Sequence, residues 1–198
     1  MQVIFDIGNV LLTYQPEQYF RSRIHDPVLY GEVAAIFHTR EWAMLDQGLL
    51  TYEEAAERMG KTLTHLGKDG VYKILENWIY CMHPLPGTEA MLDKLEKNGI
   101  PFYYLSNYHR EPWDYTLRSN PFFRKFADGI ASWEVKLLKP GPEIYQTLLE
   151  KYGLRPEECV FTDDTPKNVA GAKAVGIDAF VFLNTAQCEK ELRIRGLL

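Results

Sequence analysis

The chain has 198 residues, of which 46% are apolar and 25% charged, with a formal net charge of −5. That length holds one ample domain, or one domain with a small insert. The acidic balance excludes the basic face that a nucleic-acid partner needs, no apolar run reaches the ~20 residues of a membrane span, and three scattered cysteines without a CxxC pair fit a reducing compartment rather than a disulfide framework.

In chain order, residues Gln2 to Phe5 read as a short buried strand. Asp6 follows at once, then the turn formers Gly8 and Asn9. In open parallel α/β sheets, ligands bind outside the carboxyl ends of the strands, so an acid here stands in a functional place; taken alone, it is as easily a turn cap. A strand that begins at the second residue leaves no room for a secretory leader, and a cytoplasmic protein is expected.

From Tyr14 to about Pro84 the pattern is helical, without strand character. Asp26 can cap a segment bearing Val28, Leu29, Val33, Ala34 and Phe37. Thr51 can cap another, with Glu53 and Glu54 in its first turn, where the helix dipole favours acids. A third segment, from about Asp69 to Met82, turns Val71, Leu75, Trp78 and Ile79 inward. The run His83-Pro84-Leu85-Pro86-Gly87 then breaks the chain.

Beyond Gly87 strands and helices alternate. Thr88 to Asn98 reads as a helix stopped by Gly99, Phe102–Leu105 as a buried strand, and Gly129–Ser132 as a short one. Pro142 to Tyr152 is a helix stopped by Gly153, and Cys159–Phe161 is a strand. Thr165-Pro166 starts a helix, Ala179–Phe182 is the last strand, and the final dozen residues are a loosely docked helix. Alternation of this kind predicts right-handed crossovers and an α/β fold with a parallel, Rossmann-like sheet of order 3-2-1-4-5. Residues 1–13 and 86–198 form its core, and 14–85 an all-helical insert after strand one.

Polar residues stand at three strand ends: Asp6, Ser106-Asn107, and Thr162-Asp163-Asp164. Lys139-Pro140-Gly141-Pro142-Glu143 lies beyond strand three. If strand one is central, all face one crevice. Carboxylates packed together raise one another's pKa unless a cation sits among them, and hard oxygen ligands beside a phosphate are the usual setting for Mg²⁺. Lys139, Ser106, nearby N–H groups and the helix start at Thr165 can bind an anion, an assembly suited to phosphoryl transfer.

Phe5-Asp6-Ile7-Gly8-Asn9-Val10, Leu105-Ser106-Asn107, Lys139-Pro140-Gly141-Pro142-Glu143 and Phe161-Thr162-Asp163-Asp164 through Asn168 resemble the four ordered motifs of the haloacid dehalogenase superfamily. The opening run is most similar to bacterial sugar-phosphate phosphatases of the glucose-1-phosphatase type, and more distantly to the phosphatase domain of mammalian epoxide hydrolase. The resemblance covers the whole chain, because the insert falls where that family places its small cap. It implies Asp6 as a nucleophile that forms an aspartyl-phosphate. It implies a phosphate site of Gly8, Asn9, Ser106, Asn107 and Lys139, and Mg²⁺ held by Asp6, the Gly8 carbonyl and the Asp163-Asp164 pair. Asp164 would be the direct ligand, with Asp163 and Asn168 supporting the water shell or Lys139. The implied substrate is a small phosphorylated metabolite such as a sugar phosphate, taken by a monomer or weak homodimer.

One position departs from the pattern. Most phosphatases of that superfamily carry a second Asp two residues after the nucleophile, as general acid and base; here it is Gly8. Such help is worth about 10²–10⁴-fold. Asp46, His38 or His109 could substitute, or an anomeric leaving oxygen could need less help. The gap also keeps two other readings in play: a 2-haloacid dehalogenase, a branch that generally works without metal, and a catalytically weak binding module. Within the insert, Trp42 and Leu45 read as core, although Trp42 and Asp46 could instead face the crevice and read the substrate. His25 and His65 read as solvent-facing, and Glu189–Arg195 as a solvated helix face.

Overall fold

Val3, Ile4 and Phe5 are fully buried because β1 (Gln2–Phe5) is flanked on both sides. The computed structural model describes residues 1–198. β1 pairs in parallel with β2 (Phe102–Ser106) and β4 (Cys159–Asp163); β3 (Asp128–Ala131) and β5 (Asp178–Val181) flank these, giving the expected order β3-β2-β1-β4-β5. Such strands are apolar along their whole length, since helices cover both faces.

Side-chain alternation divides the core in two. Val3 and Phe5 join a cluster with Phe102 and Tyr104 under the inserted helices, whereas Ile4 joins Leu105, Ile130, Tyr145 and Phe161 on the opposite face. The second face is covered by α9 (Pro142–Tyr152) and α10 (Pro166–Ala174). The first face carries α6 (Thr88–Lys97) and the insert's five helices: α1 (Pro16–Arg21), α2 (Pro27–Ile36), α3 (Arg40–Asp46), α4 (Tyr52–Met59) and α5 (Gly67–Asn77). The caps form as read: Asp26 accepts from the Val28 and Leu29 N–H groups, and Thr51 with Glu54 closes a capping box. The third segment is α5 followed by a 3₁₀ turn over Trp78–Cys81.

Three local expectations change. Ser132 opens the short helix α8 (Ser132–Val135) instead of ending the strand. α7 (Trp113–Ser119) follows β2, a helix the sequence reading left out. The C-terminal helix α11 (Thr185–Ile194) is firmly docked: Cys188 and Leu192, one turn apart, are fully buried, and Leu197 follows them into the main core. No helix is long and apolar enough to cross a membrane.

Candidate active site

Parallel pairing puts the chemistry at one level. Phe5 sits opposite Tyr104 and Thr162, so the next residues on the three strands, Asp6, Leu105 and Asp163, come level at their carboxyl ends. The Asp6 N–H donates to the Thr162 carbonyl at 3.0 Å.

Lys139 arrives from the loop after α8. The Asn107 side chain holds its backbone twice, donating to the Lys139 carbonyl at 3.0 Å and accepting from its N–H at 2.9 Å. Thus fixed, Lys139 Nζ lies 2.5 Å from Asp163 Oδ2 and 2.8 Å from Asp6 Oδ1. The contact with Asp6 is an ion pair without a well-directed hydrogen bond, leaving buried Asp6 Oδ1 without a hydrogen-bond partner. Burial alone would push Lys139 down, but Asp6 and Asp163 more than offset it and hold the lysine above its ordinary range. Burial pushes Asp6 up to about 6, with Lys139 opposing and Asp163 adding to the rise.

The two neighbouring acids differ. Asp163 is fully buried and committed: it accepts from Lys139, from the Thr165 N–H at 2.8 Å, and from Asn168 Nδ2 at 3.0 Å. Asp164 is half-buried, held by Asn9 Nδ2 at 3.0 Å and Thr165 Oγ1 at 3.2 Å, and burial raises its pKa. Oxygens of Asp6, Asp163 and Asp164 lie within 4.8 Å of one another. One lysine among three carboxylates leaves an excess of negative charge in a buried place. An orphaned Asp6 oxygen and an all-oxygen donor set therefore fit a hard divalent cation.

A cavity of about 370 Å³ opens over this cluster. Its floor includes Asp6, Gly8, Ser106, Asn107, Lys139 and Asp164, and its walls include Tyr14, Trp42, Asp46, Trp78, Met82 and Tyr108. The N–H groups of Gly8 and Asn107 have no acceptor within the protein. The sequence reading did not find Tyr14, Met82 or Tyr108, and it placed Trp78 in the core alone. Trp42 serves in both ways, packed 5.4 Å from the Trp78 ring while lining the cavity.

Two expectations need correction. Asn9 is not free to hold phosphate: its side chain bonds Asp164 and the Tyr14 N–H, and its own N–H donates to the Leu12 carbonyl. Its left-handed φ of +53° turns the chain that way, a conformation asparagine tolerates better than most. His38 lies away from the cavity, largely exposed and 2.9 Å from Glu17. His109, in contrast, is fully buried behind Asp46, its Nε2 3.4 Å from Asp46 Oδ1. His25 and His65 are exposed as read, with His65 bonded to Glu32.

A family model described as haloacid dehalogenase-like hydrolase matches residues 2–176. The chain is 25% identical over 191 residues to a sesquiterpene phosphatase of Aspergillus oryzae, covering 96% of this chain and 93% of that one. It is 26% identical over 194 residues to flavin mononucleotide hydrolase 1 of Arabidopsis thaliana, covering 88% and 74%. Among solved structures, the magnesium complex of a HAD-family enzyme from Bacteroides thetaiotaomicron superposes with a TM-score of 0.76 at 20% identity, covering 97% of this chain and 98% of that one.

Proposed function

The chain belongs to the haloacid dehalogenase-like hydrolases, and from that premise we propose that it is a Mg²⁺-dependent phosphatase of small phosphate monoesters acting through an aspartyl-phosphate. The observation that carries this reading is the cluster of Asp6, Asp163 and Asp164 around the single cation Lys139, open to a closed-in cavity of small-molecule size.

In this reading Asp6 attacks phosphorus. Lys139 orients Asp6 and balances charge, and Ser106 with the Gly8 and Asn107 N–H groups holds the phosphoryl oxygens. Asp6 and Asp164 would hold the metal, together with the Gly8 carbonyl; Asp163 and Asn168, already engaged with Lys139 and the Thr165 N–H, support them. When bound, the metal supplies charge stabilisation to the phosphoryl group. Residues 14–85 act as the cap, and Trp42, Trp78 and Tyr14 meet the organic part of the ester. A sugar phosphate stacks on such rings, and the sesquiterpene phosphatase and flavin mononucleotide hydrolase among the relatives are in keeping with an ester that lies on aromatic side chains. Gly8 also fits a 2-haloacid dehalogenase, but three clustered carboxylates favour a metal-assisted reaction.

The test is a phosphate-release screen over sugar phosphates, nucleotides and isoprenoid phosphates, with Mg²⁺ or EDTA, beside chloride release from 2-chloropropionate. Mg²⁺-dependent phosphate release is expected. Chelator-insensitive chloride release would replace this reading with the dehalogenase one.

A further inference from the structure

Gly8 leaves the usual position of the proton donor without a side chain, yet the cavity holds one acid outside the metal cluster. Asp46 ends α3, lines the same cavity as Asp6, and has a largely buried carboxyl group. Resting on the phosphatase reading above, we infer that Asp46 is the acid that protonates the leaving oxygen and then activates water, with His109 as its positioning residue.

Three contacts fix the end of α3 against α8 and the residue after it. Ser132 Oγ donates to the Asp46 carbonyl at 2.5 Å while accepting from the Tyr108 N–H at 2.9 Å. Gln47 Nε2 donates to the Lys136 carbonyl at 3.4 Å. Gly48, at φ +63°, lies so close to Trp133 that a Cβ there would come within 2.7 Å of the Trp133 carbonyl oxygen. The backbone that carries the Asp46 carboxyl group is therefore fixed in place.

His109 reaches it from the loop after β2, through an aromatic cage of Trp42, Trp78 and Tyr52. Trp78 Nε1 donates to the Tyr52 hydroxyl at 2.8 Å, and that hydroxyl lies 3.2 Å from His109 Nδ1. The other ring nitrogen, Nε2, is buried without a hydrogen-bond partner and faces Asp46 Oδ1 at 3.4 Å. Burial pushes His109 down to about 3, so the ring beside Asp46 is neutral and not a cation. Asp46 itself is pushed up to about 8 by burial and then by Asp6, against the opposing Lys139. Tyr14, Tyr52 and Tyr108 also surround it, all held above their ordinary values by burial. Burial and the neighbouring Asp6 thus both favour the protonated form, the form from which a general acid starts.

The step balances. As Asp6 attacks, the bond between phosphorus and the ester oxygen breaks, and the leaving oxygen takes the Asp46 proton, giving the alcohol, the aspartyl-phosphate and the Asp46 carboxylate. That carboxylate then takes a proton from water as the water oxygen attacks phosphorus. The bond to Asp6 breaks, releasing inorganic phosphate and restoring both side chains.

The experiment compares glycerol 2-phosphate, a poor leaving group, with p-nitrophenyl phosphate, whose leaving group needs no proton. For Asp46→Asn, kcat/KM on the alkyl ester should fall about 10²–10⁴-fold and on the aryl ester less than tenfold. The retained aryl reaction serves as the folding control. Gly8→Asp in the Asp46→Asn background should restore alkyl turnover, and the site admits it, since the new Cβ would lie 3.5 Å from Tyr14 Cβ. His109→Phe should move the alkaline limb of the alkyl pH–rate profile upward, because it removes the polar ring nitrogen that faces the Asp46 carboxylate. Equal losses on both esters for Asp46→Asn, with Asp6→Asn still inactive on both, would overturn the role of Asp46 and leave the phosphatase reading standing. A wild-type enzyme inactive on every phosphate ester would overturn both.

Discussion

Lys139→Met removes the one cation that faces Asp6 and Asp163 and keeps the length of the side chain. Removing one member of a buried ion pair costs about 3–5 kcal/mol, because the remaining charge stays buried without compensation. Here two carboxylates remain, at 2.5 and 2.8 Å from the lost ammonium group. At about 2–4 °C per kcal/mol for a domain of this size, the thermal midpoint at pH 8 in chelator should drop by about 6–20 °C. The sign of the pH dependence follows from the acids. Burial already pushes Asp6 up to about 6 with the lysine opposing the rise, and without the lysine the folded value rises further. Between pH ~4, where the unfolded acid titrates, and that raised value, the folded state holds a proton the unfolded state has released. Stability then falls as pH rises, and lowering the pH from 8 to 5.5 should return part of the loss. Adding Asp163→Asn should return part of it at pH 8, and turnover should be absent in both variants. Calorimetry or melts followed by circular dichroism across pH provide the measurement. A loss below about 1 kcal/mol, or one independent of pH and of Asp163→Asn, would refute the claim that Lys139 is the charge balance of this cluster.

Asp6→Asn should lower turnover by at least about 10³-fold while leaving the chelator-treated melting temperature unchanged or higher, since the amide has the same shape and no charge to bury. Mg²⁺ at a hundredfold excess over its dissociation constant should stabilise the wild type by about 2.7 kcal/mol, a rise of about 5–11 °C; Asp164→Asn should abolish the rise, as scanning fluorimetry can read. Gly48→Ala forces a left-handed residue against the Trp133 carbonyl, so denaturant melts should show a loss of about 1–3 kcal/mol, and the alkyl phosphatase activity should fall before the aryl activity does.

The sheet order and the site floor were legible because each carries a local signal. Buried parallel strands are short apolar runs, and Asp6, Ser106 and Asp163-Asp164 interrupt those runs at their ends. Asn9 was misread because its motif position says nothing of its dihedral angles, and the left-handed turn spends its groups on Asp164 and Tyr14. His38 and His109 were equivalent in the sequence. They are separated by an aromatic cage drawn from Trp42, Tyr52 and Trp78, which no spacing rule links to a histidine after β2. The docking of α11 did carry a signal, in Cys188 and Leu192 one turn apart, masked by the charges around them.

Opening the cavity is more than bending two linkers. Those linkers are bonded to each other, Thr13 N–H to the His83 carbonyl at 2.8 Å and Leu85 N–H to the Leu11 carbonyl at 3.0 Å, around a single antiparallel bridge between Leu12 and Pro84. The inserted helices share a continuous apolar cluster with the sheet. His109, a residue of the sheet side, sits buried inside the aromatic rings of the insert. Separating the two would expose those rings and break the link from Ser132 to Asp46. The contact between insert and sheet is thus the contact that holds Asp46 in the cavity it shares with Asp6. An acid placed by the insert and not by the β1 loop can deliver its proton only while insert and sheet are packed together, and that packing also limits the access of bulk water.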